Sequence, residues 1–236
     1  MTKQFKPNLI MFDLDGTLVD SVPDLAFCVD LFMEELGRPT HGEAKVRNWV
    51  GNGVQRLCER ALTDSLDGYP DKQFFEENFP RFMDIYAEHN GKKSTLYPGV
   101  KETLAVLKET GFKLACVTNK SERFTPPLLE KLGILQYFQF TLGGDVLPKK
   151  KPDPMPLLHI AKTLDEQIEN CLLVGDSMND VQAARNAGCP VIAVPYGYNH
   201  GKDIHESNPD VVIKTFFELP PLVGVSDTKL AEASNA

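Results

Sequence analysis

The sequence predicts an α/β fold: a doubly wound parallel sheet with a Rossmann-like core and an inserted α-helical domain. Three observations predict it. An apolar run, Leu9-Ile10-Met11-Phe12, ends abruptly at two carboxylates, Asp13 and Asp15, and Gly16 follows at once. From Tyr97-Pro98-Gly99 onward, helix-like and strand-like patterns alternate, the signature of βαβ units with right-handed crossovers. Between about residues 20 and 92 helical spacing prevails and no strand signal of any strength appears. The expected division is a core of residues 1–20 and 93–225, a helical insert of 21–92, and a small, polar tail, 226–236, expected to be disordered.

The first strand reads as a short apolar run closed by turn signals. In a parallel sheet, ligands bind beyond the carboxyl ends of the strands, so this run carries two negative charges to the edge where chemistry takes place. Carboxylates two positions apart repel each other, and a cation or a shared proton must relieve the repulsion. A divalent metal is the first expectation.

In the insert, Leu25, Cys28, Val29, Phe32 and Leu36 recur at helical spacing. Ser21 and Asp24 fit a capping box, and Gly37 followed by Pro39 is a stop signal. Val54, Leu57, Ala61 and Leu62 mark a second helix after the Gly51-Asn52-Gly53 turn. Phe75, Phe79, Phe82 and Tyr86 mark a third pattern, which Pro80 is expected to kink or divide.

Beyond the insert, Val100, Leu104 and Leu107 form a helix face closed by Gly111, and a strand over 112–117 ends in Thr118-Asn119. Phe124, Leu128 and Leu132 form the next helix, followed by a short strand over 138–142. Asp153 can cap a helix through Leu157, Ile160 and Leu164. A strand over 171–174 ends in Gly175-Asp176, a helix spans 181–187, and a last strand covers 190–194.

Composition excludes several classes. The 236 residues suit one domain, or one with an insertion, and an apolar fraction of 42% is ample for a core. A net charge of -8 repels phosphate backbones, so no nucleic-acid partner is expected. No stretch approaches the roughly 18 continuous apolar residues of a membrane span, and residues 1–7 are too polar for a signal peptide. The five cysteines are scattered without a CxxC pair, which indicates neither a disulfide framework nor a zinc cluster. The expectation is a soluble, cytoplasmic protein in a reducing compartment, with no membrane partner. Nothing in the sequence specifies an oligomeric state.

The strand ends hold the chemistry: Asp13 and Asp15 after the first, Thr118 and Asn119 after the second, Asp176, Ser177 and then Asp180 after the fourth. Lys149-Lys150-Lys151-Pro152 lies between the last two sets. In a parallel sheet these ends share one edge. Hard oxygen ligands of this kind suit Mg²⁺, which takes one or two carboxylates together with water and a substrate phosphate. A lysine and a hydroxyl are what a phosphoryl group needs from its other side.

DxDGT, then Thr-Asn after a strand, then Lys-Pro, then GDSxxD resembles the haloacid dehalogenase-like phosphohydrolase superfamily. The motifs span residues 13 to 180 in the expected order, and the helical insert is similar to the superfamily's small cap. The phrases FDLDGTLVDSVPDL, WVGNGVQRL, LYPGV, VTNK, KPDPMPL and VGDSMNDVQAARNAG resemble, within it, hydrolases of 2-phosphoglycolate.

The resemblance implies a Mg²⁺-dependent phosphomonoester hydrolase acting on a small phosphate ester, with 2-phosphoglycolate the best single substrate. It implies Asp13 as the nucleophile that forms an aspartyl-phosphate. Asp15 would protonate the leaving alkoxide and then activate water, a role that starts from a protonated carboxyl. Asp13, Asp176 and the backbone carbonyl of Asp15 would bind the metal, with Asp180 orienting its waters or Lys151 from behind. Thr118 and Asn119 would hold phosphate oxygens, and Lys151 would neutralise Asp13 and the transferring group. Lys149 and Lys150 could face solvent. Asp15 favours attack on a phosphate ester, because halide leaves without a proton.

Two alternatives stand beside this reading: a phosphatase or mutase acting on another small phosphometabolite such as a sugar phosphate, and a catalytically silent binding module. The second would need a lost nucleophile or metal site, and Asp13, Asp15, Lys151 and Asp176 are intact. The five histidines are dispersed without metal-ligand spacing and are assigned surface or packing roles, and Trp49 is assigned to the insert or its seam with the core. Gly51 and Gly53 belong to a loop that closes on the substrate's organic end. Arg47 and Arg56 are candidates for a substrate carboxylate.

Overall fold

The computed structural model describes residues 3–226. Apart from Ser226, the tail expected to be disordered lies outside the described residues.

The elements run β1 (Leu9–Phe12), β2 (Val19–Asp20), α1 (Val22–Glu35), α2 (Glu43–Arg47), α3 (Val54–Thr63), α4 (Lys72–His89), β3 (Thr95–Leu96), α5 (Val100–Glu109), β4 (Lys113–Val117) and α6 (Thr125–Lys131). They continue with β5 (Phe140–Leu142), α7 (Met155–Thr163), β6 (Cys171–Gly175), α8 (Met178–Ala187), β7 (Val191–Ala193), β8 (Val211–Val212) and α9 (Leu219–Leu222).

Six strands form one parallel sheet in the order β5-β4-β1-β6-β7-β8. β1 lies between β4 and β6, with Phe12 opposite Cys116 on one side and Val174 on the other. Its four residues are fully buried because helices cover both faces. Ile10 and Phe12 pack toward Leu104, Leu128 and Phe216. Leu9 and Met11 pack toward Leu157, Ile160 and Val181. Burial of one such side chain is worth about 1.5–3 kcal/mol, so the strand that ends at Asp13 is among the most firmly seated parts of the chain. β8 has no counterpart in the sequence reading, since two half-buried valines make no periodic pattern.

The insert has its own core. Leu25, Cys28, Val29 and Phe32 of α1 meet Leu57, Cys58 and Ala61 of α3 and Phe82, Ile85 and Tyr86 of α4. Trp49 is buried in this cluster, where Tyr198 and Phe124 from the sheet side join it. Pro80 does not divide α4, which runs unbroken from Lys72 to His89. The Phe75–Phe79 stack before the proline and the Phe32–Phe82 contact after it hold both halves in one helix, against the roughly 3 kcal/mol an interior proline costs.

Two crossings join insert and core. β2 and β3 pair antiparallel, Val19 with Leu96 and Asp20 with Thr95. The expected capping box at α1 is replaced by a stitch between them. Ser21 is the N-cap residue but its hydroxyl caps nothing. Asp24 instead accepts from the backbone N–H groups of Gly91, Lys93 and Ser94 and from the Ser94 hydroxyl. Four donors where the chain returns from the insert outweigh the single N–H a helix cap would supply.

The five cysteines are buried and unpaired. Among the described residues no helix is long and apolar enough to cross a membrane.

Candidate active site

β1, β4 and β6 are adjacent and parallel, so their carboxyl ends bring Asp13, Thr118 and Asp176 to one edge. Asp180 joins them from the first turn of α8, where Ser177 and Asp180 form a capping box. Oxygens of Asp13, Asp176 and Asp180 lie within 4.8 Å of one another, all three residues buried.

Lys151 reaches this cluster from the loop before α7. Its ammonium donates to Asp180 at 2.6 Å and the Val117 carbonyl at 2.8 Å, and lies 3.0 Å from Asp13. Burial alone would depress its pKa, but Asp13 and Asp180 hold it protonated, well above the ordinary lysine range. Lys149 and Lys150 are exposed, although the Lys150 ammonium bonds the Asn52 carbonyl at 2.6 Å.

The carboxylates differ in how far they are satisfied. One oxygen of Asp180 takes Lys151 and the other takes the Ser177 N–H and hydroxyl. Asp176 is clamped by the Thr17 hydroxyl at 2.7 Å and the Tyr198 N–H at 2.6 Å. Gly16 (φ +91°) and Gly197 let the chain pass close, since a Cβ on either would lie 2.3 Å from an Asp176 oxygen. Asp13 accepts from the Leu14 N–H. Burial, opposed by Lys151, pushes Asp13 up to about 7, and burial with the neighbouring Asp180 and Asp13 charges pushes Asp176 well above the carboxylate range. Desolvated carboxylates under that strain fit a divalent cation, which would supply the charge they lack.

Asp15 sits at the cavity rather than in the acidic cluster. Its partner is Lys120, which the sequence reading passed over although it closes the quoted VTNK phrase. The Lys120 ammonium lies 3.1 and 3.3 Å from the two Asp15 oxygens and also donates to the Tyr86 hydroxyl. Tyr86, counted from sequence as a core position of the insert, thus has a polar end at the site as well. Thr118 Oγ1 accepts from the Lys120 N–H. Asn119 is committed to the fold: its side-chain amide donates to the carbonyls of Gly51 and Lys151, both at 3.0 Å, while its Oδ1 is buried without a partner.

Over these groups lies a cavity of about 40 Å³, walled by Asp13, Asp15, Thr118, Asn119 and Lys120 below and by Leu25, Val50, Val54, Leu57 and Tyr86 of the insert above. Gly51 and Gly53 line it as expected. Arg47 and Arg56 do not. Arg47 pairs with Asp20 and Glu43. Arg56 binds Glu59 and the carbonyls of Leu66 and Gly68. Each guanidinium has a helix partner at i−4 or i+3, Glu43 and Glu59, a spacing visible in the sequence, while the Arg47 contact with Asp20 is not local.

Residues 10–194 match the family model described as haloacid dehalogenase-like hydrolase. The chain is 51% identical over 223 residues to a phosphoglycolate phosphatase of Nitrosococcus oceani, covering 94% of this chain and 98% of that one. It is 49% identical over 216 residues to a phosphoglycolate phosphatase of Pseudomonas syringae pv. tomato, covering 91% and 79%. Among solved structures, "a predicted phosphoglycolate phosphatase" from Haemophilus somnus superposes with a TM-score of 0.85 at 39% identity, covering 93% of this chain and 98% of that one.

Proposed function

The chain belongs to the haloacid dehalogenase-like hydrolase family, and from that premise we propose that it is a Mg²⁺-dependent phosphomonoester hydrolase whose substrate is 2-phosphoglycolate, released as glycolate and phosphate. The observation that carries the reading is the gathering of Asp13, Asp15, Thr118 and Lys120 on one cavity beneath helices of the insert, with Lys151 3.0 Å from Asp13. The choice of 2-phosphoglycolate is supported by the phosphoglycolate phosphatases to which the chain is 51% and 49% identical.

In this reading Asp13 attacks phosphorus in line and becomes the aspartyl-phosphate, which divides one hard displacement into two easier ones. Asp15 gives its proton to the departing alkoxide and then takes one from the attacking water. Lys151, protonated and 3.0 Å from Asp13, offsets the charge of the nucleophile and the phosphoryl oxygens. The Thr118 hydroxyl, which accepts from Lys120, keeps its own proton to donate to phosphate. Asn119 holds the loop above through Gly51 and leaves phosphate binding to its backbone N–H. Asp13, Asp176 and the Asp15 carbonyl would hold Mg²⁺, whose chemistry is to neutralise phosphoryl oxygens. Asp180 holds Lys151 in place. Residues 21–92 act as a cap over the core of 1–20 and 93–225, and closure keeps bulk water from the first step.

A panel of phosphorylated metabolites, assayed with Mg²⁺ and compared as kcat/KM, tests this. 2-Phosphoglycolate is expected to rank first. A sugar phosphate ranking above it would transfer the assignment to the alternative substrate class, and hydrolysis of none would leave a binding module.

A further inference from the structure

We infer that Lys120 selects substrates by recognising a carboxylate one carbon from the phosphate ester oxygen, an inference that rests on the phosphatase reading above. Lys120 is the one cation among the residues that line the cavity. The arginines assigned this task from sequence are engaged elsewhere. Lys151 lies against three acceptors, the Val117 carbonyl, Asp180 and Asp13, which account for its three N–H groups.

Lys120 also faces three acceptor atoms, but two of them are the oxygens of one carboxylate, Asp15, and the third is the Tyr86 hydroxyl. The distances to Asp15, 3.1 and 3.3 Å, exceed the roughly 2.7–2.9 Å of close charge-assisted bonds. One N–H can serve both Asp15 oxygens, so a small turn of the ammonium frees a donor for a substrate carboxylate while Asp15 keeps a bond. Tyr86 accepts from Lys120 and so keeps its own O–H to donate. The two groups come from opposite sides of the cavity, Lys120 after β4 and Tyr86 from α4.

The surroundings make the cation necessary. A carboxylate entering here meets Asp13 and Asp15 on the floor and Leu25, Val50, Val54 and Leu57 on the walls. A charge taken out of water into such a place is strongly disfavoured unless paired. Lys120, itself only 5% exposed, offers that pairing. A neutral alcohol in the same position can accept one hydrogen bond from the ammonium but brings no charge to pair with it.

The test compares 2-phosphoglycolate with 2-hydroxyethyl phosphate, an ester of equal length in which a hydroxymethyl group replaces the carboxylate. The readout is the ratio of their kcat/KM values in the full-length enzyme with Mg²⁺. Wild type is expected to favour the acid by about 10- to 100-fold, the range of one hydrogen bond to a charged group. Lys120→Met should bring the ratio to within about threefold of unity, chiefly through a raised KM for the acid, and Lys120→Arg should retain most of the preference. Glycolate should compete with 2-phosphoglycolate in wild type where ethylene glycol does not; this arm needs no variant. A ratio that stays unchanged in Lys120→Met, whatever the absolute rates, overturns the inference and assigns Lys120 to Asp15 alone. A wild type that cleaves both esters equally, or that glycolate fails to inhibit, overturns it while sparing the phosphatase reading. A wild type inert to both esters removes that reading and the inference together.

Discussion

The side-chain amide of Asn119 donates to the carbonyl of Gly51 at 3.0 Å, tying the end of β4 to the loop between α2 and α3. Asn179 reaches the same carbonyl at 3.3 Å, and Lys150 reaches that of Asn52 at 2.6 Å. Three core side chains thus hold two consecutive peptide groups of the insert against the sheet edge. The loop can lie flat there because Gly51 and Gly53 have φ of +121° and +89°, a region open to glycine at little cost. A substrate under this loop is enclosed by bonds that come from the catalytic side of the molecule.

Asp13→Asn should abolish phosphate release and leave the fold intact. The substitution is nearly isosteric and removes a carboxyl whose ionised form burial already opposes, so the thermal midpoint without metal should not fall. Asp15→Asn should lower kcat by about 10²–10⁴-fold, the usual worth of a positioned acid–base group. Retained hydrolysis in the Asp13 variant would refute the nucleophile assignment.

Chelation should silence the enzyme and Mg²⁺ should restore it. Asp176→Ala should weaken that dependence and the activity together, because it removes a carboxylate already fixed by Thr17 and Tyr198. A Mg²⁺ titration superimposable on wild type would take Asp176 out of the metal site.

Asp180→Ala should destabilise the protein by about 3–5 kcal/mol, the usual result of removing one partner from a buried ion pair. Asp180 is completely buried against Lys151 and also accepts from Ser177, so the change leaves the ammonium with Asp13 and the Val117 carbonyl alone and opens the α8 cap. Urea unfolding measures the loss, and a value below about 1 kcal/mol would show that these two suffice for Lys151.

Stability below pH 5 should depend on Asp210, on the far side of α8 from the site. Burial raises its pKa, but Arg185, Lys3 and the Val191 N–H outweigh that and bring it to about 2. An unfolded aspartate titrates near 3.9, so the unfolded chain takes up this proton first as pH falls. The contribution is full above about pH 5 and is lost progressively between about pH 4 and 2. Asp210→Asn should therefore be less stable than wild type at neutral pH, with the gap narrowing toward pH 2. Unfolding free energies at several pH values check this; a gap that stays constant would contradict it.

Much of the molecule was legible in the sequence because its signals are local. Apolar runs closed by Asp13, Thr118 and Asp176 mark strand ends, and parallel strands present those ends on one edge, so a meeting of these groups was expected from the strand pattern, while the choice of Lys151 among three lysines came from the Lys-Pro motif of the resemblance. The helices between β2 and β3 were legible from helical spacing and an absence of strand pattern. Lys120, Tyr86, Asp24 and the Asp20 contact of Arg47 were not legible, because each is defined by a partner far away in the chain; Arg56, by contrast, pairs with Glu59 three positions on, a spacing the sequence displays. Asp24 looks like a helix cap until Gly91, Lys93 and Ser94 return beside it, and Arg47 looks paired with Glu43 alone until Asp20 lies within 3.3 Å. By itself the sequence determined the parallel sheet, the run of helices after its first strand and the acidic edge, since periodicity and motif order are properties of one segment at a time. Only the tertiary structure decided which cation stands at Asp15 and which insert side chains face it across the cavity, because electrostatic pairing and cavity lining depend on distances between segments that the chain order does not contain.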